Sequence, residues 1–393
     1  VSIVLPRLSR TREQELFDLL RELVDIQSGS RNRAGVNRVG ARIRAALADL
    51  PLACEQIDGG EFGDHLVFRT RAATATTSRL ILICGHMDTV FPEDSDFTTC
   101  RQEGDRIIGP GVIDMKGGLV VTMGAVRCLA ETGLLDHLPL VLLFNSDEEV
   151  GSPSSIPLLR RLARTCCCAL VTECGGMAGE VVTGRRGKTG FRLDVHGTAG
   201  HAAFAGHAKA SAVLELAEKI IRIEACNAPD RGIVVNVGRV EGGIGPNTVA
   251  EHGMALIDSR YPDREAGQWL RREITRIAAT VIIPGTRCEL SITNERPVME
   301  PTAANRELFS LLAEVAASLA MEVREEVRRG VSDANTLAGE GLPVLDGLGP
   351  VGEFDHSDRE YMRRDSLAAR TLLLANFLPL LAARCPLPAE PRQ

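Results

Sequence analysis

The segment Leu80-Ile81-Leu82-Ile83-Cys84-Gly85-His86-Met87-Asp88-Thr89-Val90 runs five apolar residues into a glycine and then into two polar side chains, His86 and Asp88. The apolar run predicts a short buried strand, and Gly85 breaks it. In an open α/β sheet, ligands and chemistry collect outside the carboxyl ends of the strands. A histidine and an aspartate at such an end are placed to serve a site. Taken alone, the pair reads better as a loop histidine and a capping aspartate. Three further stretches repeat the pattern and reverse that preference.

Downstream, Ile107 to Gly118 is broken by Gly109, Pro110 and Gly111. It delivers Asp114 just ahead of a helix predicted over Leu119 to Glu131. Leu138 to Phe144 is a second apolar strand, ending at Asn145-Ser146-Asp147-Glu148-Glu149. Three consecutive carboxylates at a strand end repel one another unless cations neutralise them. A third strand, Ala169 to Thr172, is followed directly by Glu173. Upstream, apolar spacing predicts helices over Arg12 to Ile26 and Val36 to Ala48, and a strand over Leu66 to Arg69.

Beyond Glu173, the composition shifts at Thr183 to Gly190, TGRRGKTG. A phosphate loop is excluded there, because Val182 stands where that motif needs its first glycine. The pattern then reads strand (Phe191 to His196), helix (Ala208 to Ile223), strand (Ile233 to Val240), strand (Thr248 to Ile257), helix (Ala266 to Thr280) and strand (Cys288 to Thr293). That order belongs to a ferredoxin-like module. It divides the α/β chain into residues 1–183, an inserted α+β domain at 184–297, and a return at 298–393. The return holds a helix over Asn305 to Leu319, a helix-entry turn at Gly330 to Asn335, a short strand over Pro343 to Leu345, and a helix over Ser366 to Leu381. Between the last two lies the loop Glu353-Phe354-Asp355-His356-Ser357.

Bulk composition narrows the function classes. With 44% hydrophobic residues in 393, the chain can build a sizeable core. Aromatics make up only 4% and the net charge is −7, which argues against nucleic-acid and anionic-membrane partners. No run of about 18 apolar residues predicts a membrane span. The 11 cysteines lack paired or regular spacing, so they read as unpaired thiols and point to a cytoplasmic setting. Val1 to Arg10 is too short and too broken by Pro6 and Arg7 to be a signal peptide, while a leader removed upstream of Val1 stays open.

The strand-end and loop residues collect into one set: His86, Asp88, Asp114, Glu148, Glu149, Glu173 and His356. Two imidazoles with several carboxylates suit zinc or a metal like it. The set exceeds what a single open tetrahedral site needs. Two metals about 3.5–4 Å apart, bridged by one carboxylate, would use it. Such a pair lowers the pKa of a shared water and polarises a carbonyl, and a nearby carboxylate must shuttle the proton.

The ordered motifs GHMDTV (85–90), DMKGG (114–118), DEEVGS (147–152), the Glu173 strand end, GTAGH (197–201) and the late His356-Ser357 resemble one family. It is the acetylornithine deacetylase, succinyl-diaminopimelate desuccinylase and glutamate carboxypeptidase (carboxypeptidase G-like) family of dinuclear zinc metallopeptidases. The resemblance runs from about Leu16 to Leu380. It implies a zinc-peptidase-like catalytic domain with a central mixed sheet, carrying an inserted ferredoxin-like lid and dimerisation domain. It also implies two zinc ions per chain, with cobalt or manganese as substitutes. His86 and Glu173 would be terminal ligands of one metal, Glu149 and His356 of the other, and Asp114 the bridge. Glu148 would be the general base, and Asp88 would accept the second imidazole proton of His86. The peptide bond between Asp114 and Met115 would be cis. His201 would reach the partner subunit's site to hold the developing oxyanion, and Asn247 and Arg260 would grip the substrate. Pro110, Val112, Ile113 and Cys174 depart from the family pattern without removing a ligand.

The resemblance therefore implies a metal-dependent hydrolase acting on a small peptide or N-acyl amino acid with a free α-carboxylate, working as a homodimer. The alternatives are an N-acyl-amino-acid deacylase and a non-catalytic binder of metals or peptides. The retained Glu148 speaks against the binder, which needs no base.

Overall fold

The computed structural model describes residues 7–76, 79–206 and 209–384. They fall into two units. One comprises Val1–Gly184, Pro301–Val327 and Ser332–Gln393; the other comprises Arg185–Glu300 and Arg328–Val331.

In the first unit, Leu80–His86 is an interior strand of a six-stranded mixed sheet and is buried along its whole length. It runs parallel to Leu140–Asn145 on one side and to Cys166–Val171 on the other. Strands covered on both faces read as unbroken apolar runs, which is why these three were visible in the sequence. Val344–Leu345 extends the parallel side. His65–Thr70 and Leu52–Ile57 extend the other side, antiparallel. Register sets the strand ends level: His86 lies opposite Asn145, and Thr172 N–H donates to the Cys84 carbonyl at 3.1 Å.

The strand Leu52–Ile57 escaped the sequence reading because it is an edge strand, largely exposed and without apolar alternation. The reading also missed a small sheet of Gly352–Glu353, Tyr361–Arg363, Arg106–Ile108 and Arg101–Glu103. Strands this short carry no periodicity to read. They matter, because pairing of Tyr361 with Ile108 lays the loop of His356 against the loop of Asp114.

Helices Arg10–Val24, Lys116–Glu131, Ala303–Ser318 and Arg364–Arg384 pack around this unit's core, which includes Leu20, Leu23, Leu119, Met123, Leu312, Phe377 and Leu378. Gly124 allows close helix packing: a Cβ there would lie 2.8 Å from Thr371 and 2.9 Å from Leu16. Helix Arg364–Arg384 is long and apolar enough to cross a membrane by length and composition, against the expectation that no segment is. Its buried residues Leu367, Leu373, Leu374, Phe377, Leu378 and Leu381 belong to the core cluster, which accounts for its apolarity.

The second unit has the expected β-α-β-β-α-β order. Its four strands lie in the order Val234–Gly242, His252–Tyr261, Gly187–His196 and Arg287–Arg296, all antiparallel. Helices Ala212–Glu224 and Arg264–Ala279 bury Leu216, Ile223, Leu270 and Ile274 against the sheet residues Phe191, Leu193 and Ile257. The single strand expected over Thr248 to Ile257 is in fact two. Thr248–Val249 pairs with Gly200–His201, and His252–Tyr261 joins the main sheet. Arg260 therefore lies within a strand, one residue from its end.

The cysteine reading needs one correction. Cys167 is disulfide-bonded, while nine other described cysteines are free. Pairing depends on where the fold brings the chain, which spacing alone does not reveal.

Candidate metal centre

His86 ends its strand 1% exposed. Gly85 makes room beside it, since a Cβ there would lie 2.8 Å from the Met115 side chain and 2.9 Å from Leu119. The His86 ring is held from both sides. Its Nδ1 lies 3.0 Å from the Asp88 backbone carbonyl, and its Nε2 lies 3.2 Å from Asp114 Oδ1 and 3.6 Å from Glu173 Oε1. The backbone acceptor keeps a proton on Nδ1 and turns Nε2 towards the carboxylates, as the nitrogen a metal would take.

Asp114 precedes a cis peptide bond to Met115, which caps helix Lys116–Glu131. Its two oxygens face different partners. Oδ1 faces His86, while Oδ2 lies 3.0 Å from His356 Nε2. The same His356 nitrogen lies 3.3 Å from Glu149 Oε2. The chain thus brings its five expected ligands into two sets, His86 with Glu173 and His356 with Glu149, that share Asp114.

Charge crowding leaves its mark on these groups. Burial alone would lower the His86 imidazolium, yet Asp114, Asp88 and Glu173 outweigh it and hold it well above the usual range. Contacts with Asp114 and Glu149 raise His356 to about 11. Burial, aided by the charge of Asp114, lifts Glu149 to about 8 and Glu173 to about 7. Burial would raise Asp114 as well, but its two histidines bring it well below the ordinary range. Metal binding at these groups would displace their protons.

The set also fits metal by a direct test. Glu149 Oε1 is buried and has no hydrogen-bond partner. An acceptor so placed is costly unless a cation or donor meets it. Nitrogen with carboxylate oxygens is a donor set for zinc, cobalt or manganese.

Three buried carboxylates hold the ligand loops. Asp88 accepts from Ser30 Oγ at 2.7 Å and from the N–H groups of Glu148 and Glu149 at 3.1 and 3.2 Å. Its carboxylate is thus a clamp on the acidic loop, and its own carbonyl makes the closer contact with His86. Asp147 accepts from Ser154 N and Oγ and from Ser155 Oγ, at 2.6, 2.7 and 2.6 Å. Glu360 accepts from the N–H groups of Gly111, Ile113 and Asp114 at 3.0, 2.9 and 3.2 Å. Sequence reasoning missed the holding roles of Asp147 and Glu360. Asp147 was visible within the acidic run, whereas nothing singled out Glu360.

Glu148 shares the short turn Glu148–Val150 with Glu149 and is half-buried. The remaining expected residues lie in the second unit. His201 is exposed, accepts from Ala203 N–H at 3.2 Å, and pairs with Thr248. Asn247 is its neighbour, its carbonyl accepting from Ala202 N–H at 2.9 Å. Arg260 is apart from these two, with Nε 3.0 Å from Asp258 Oδ2. The other oxygen of Asp258 lies 3.4 Å from Lys188 Nζ, so two cations share one carboxylate.

Residues 82–379 match the sequence profile of Peptidase family M20/M25/M40. Carboxypeptidase G2 of Pseudomonas sp. (strain RS-16) is 25% identical over 389 residues, covering 97% of this chain and 92% of that protein. A succinyl-diaminopimelate desuccinylase of Gluconacetobacter diazotrophicus is 28% identical over 340 residues, covering 82% of each. Among solved structures, a Bacillus subtilis protein described as a dinuclear metal-binding peptidase from the M20 family superposes with a TM-score of 0.70. It is 14% identical, and the match covers 96% of this chain and 100% of that one.

Proposed function

We propose that this chain, which belongs to peptidase family M20/M25/M40, hydrolyses the amide bond between an acyl or aminoacyl group and a C-terminal amino acid with a free α-carboxylate. The observation that carries the reading is the division of Asp114's two oxygens between His86 and His356, with Glu173 and Glu149 behind them. A carboxylate so shared suits a pair of metal ions.

Two ions held by these residues would acidify a water and polarise the scissile carbonyl. Everything else falls to side chains. Glu148, on the same turn as a ligand, takes the proton of the attacking water and returns it to the leaving nitrogen. Asp88 keeps Glu148 and Glu149 in place through their N–H groups. The roles of the second unit's residues rest on the motif resemblance. Arg260 grips the substrate carboxylate with two parallel hydrogen bonds, Asn247 adds a donor, and His201 stabilises the oxyanion across a homodimer. Sedimentation at twice the chain mass is expected, and sedimentation at the mass of one chain would remove the cross-subunit role.

A second reading, removal of an N-acyl group in the manner of a deacylase, draws on the relative named as a desuccinylase. A panel of acyl amino acids and short peptides tests both. Chelator is expected to abolish hydrolysis, and zinc, cobalt or manganese to restore it. Free α-carboxylates are expected to be required and their methyl esters to be inert. Equal cleavage of acids and esters would replace the exopeptidase reading with a general amidase.

A further inference from the structure

The loop that carries His356 also carries a carboxylate with no assigned role. The ligand-capable atoms of Asp114, Asp355 and His356 all lie within 4.8 Å of one another, as do those of His86, Asp114 and Glu173. Adjacent side chains on extended backbone point to opposite faces. Here Phe354 and His356, on either side of Asp355, have φ of 65° and 59°. That left-handed backbone breaks the alternation and lets two consecutive side chains converge on Asp114. His356 links this cluster to a second carboxylate that calls for a cation. Glu149 is buried, its Oε2 lies 3.3 Å from His356 Nε2, and its Oε1 has no partner.

We propose that Asp355 is a fourth protein ligand of the metal position formed by Asp114, Glu149 and His356, and that it biases this position towards manganese. The proposal rests on the dinuclear reading above. The position of His86, Glu173 and Asp114 offers one nitrogen and two carboxylates, which with a water completes the tetrahedral set usual for catalytic zinc. The position of His356 offers one nitrogen and three carboxylates. With a shared water it exceeds four donors, and oxygen-rich sites of higher coordination suit manganese better than zinc. The two positions therefore differ in selectivity although they share Asp114.

The test uses the full-length apo chain titrated with manganese chloride, with free Mn²⁺ followed by electron paramagnetic resonance and zinc chloride added in competition. Asp355 is exposed, so Asp355→Asn leaves core packing unchanged. Wild type is expected to bind two Mn²⁺ per chain. Asp355→Asn is expected to weaken one of the two steps by ~10-fold or more, namely the step that His356→Ala removes, and to make that step less selective for manganese over zinc. If Asp355→Asn binds both ions as tightly as wild type, or weakens both steps alike, Asp355 is no ligand of that position. If wild type binds a single ion, the dinuclear reading falls and takes this proposal with it. Two ions bound with Asp355→Asn indifferent removes this proposal alone.

Discussion

At the scale of single residues, the account rests on how adjacent carboxylates acquire different tasks. Glu148 and Glu149 are neighbours whose N–H groups donate to the same clamp, Asp88. The Glu149 side chain lies 3.3 Å from His356 Nε2 and is 5% exposed, although both residues are half-buried as a whole. Glu148→Gln keeps the size but takes no proton, so it is expected to lower turnover ~10²-fold or more with metal content intact. Glu149→Gln is expected to lower metal content. Metal analysis beside steady-state rates separates the two, and the opposite pairing would exchange their roles. The seven-residue polar set was legible because histidines and carboxylates at strand ends and in loops are a chemical pattern that survives in one dimension, and the motif resemblance singled out five of them as expected ligands. Glu360 was not. Its function depends on the N–H groups of Gly111, Ile113 and Asp114 turning towards it, more than 240 positions away in the chain. Asp355 was hidden for a related reason, since only left-handed backbone on either side makes it face the same way as His356.

At the scale of elements, legibility followed burial. The strands Leu80–His86 and Leu140–Asn145 are buried throughout and read as apolar runs. The exposed edge Leu52–Ile57 and the short strands beside the His356 loop had no such signal. The helices of the second unit hide a polar device as well. Lys219 and Glu215, one turn apart on helix Ala212–Glu224, are buried and 2.9 Å from each other. Lys219 donates to the carbonyls of Ile277, Ala278 and Thr280, which end the neighbouring helix Arg264–Ala279. Glu215 accepts from the N–H groups of Ile282 and Ile283 just beyond it. The pair thus fastens the segment that follows the helix. Lys219→Met leaves a buried carboxylate without its cation and is expected to cost about 3–5 kcal/mol, read as a lower urea midpoint. Burial would raise Glu215, but Lys219 and the two N–H groups hold it below its ordinary value. A lowered folded-state value stabilises above the unfolded value of about 4.3, and that contribution fades as pH falls through the folded one. The stability gap between wild type and Glu215→Gln is therefore expected to be full at pH 7 and to close in acid. A gap that stays constant into acid would show that the Glu215 charge contributes nothing.

At the scale of the whole molecule, each unit is built from a pattern the sequence carried. Alternating apolar strands and helices make the mixed sheet of the first unit, and the β-α-β-β-α-β order makes the second. The first unit gathers histidines and carboxylates from residue 86 to residue 356 at the carboxyl ends of its parallel strands and in two loops joined by a small sheet. That joining sheet is the part sequence periodicity does not announce, although the centre depends on it. We propose that Asp114 lies between two metal ions. Anomalous X-ray scattering at the absorption edge of the loaded metal, measured on crystals of the active holo chain, tests it most directly. The account expects two peaks per chain, one between His86 and Glu173 and one between His356 and Glu149, with the Asp114 carboxylate between them. A single peak per chain in fully active protein would contradict it.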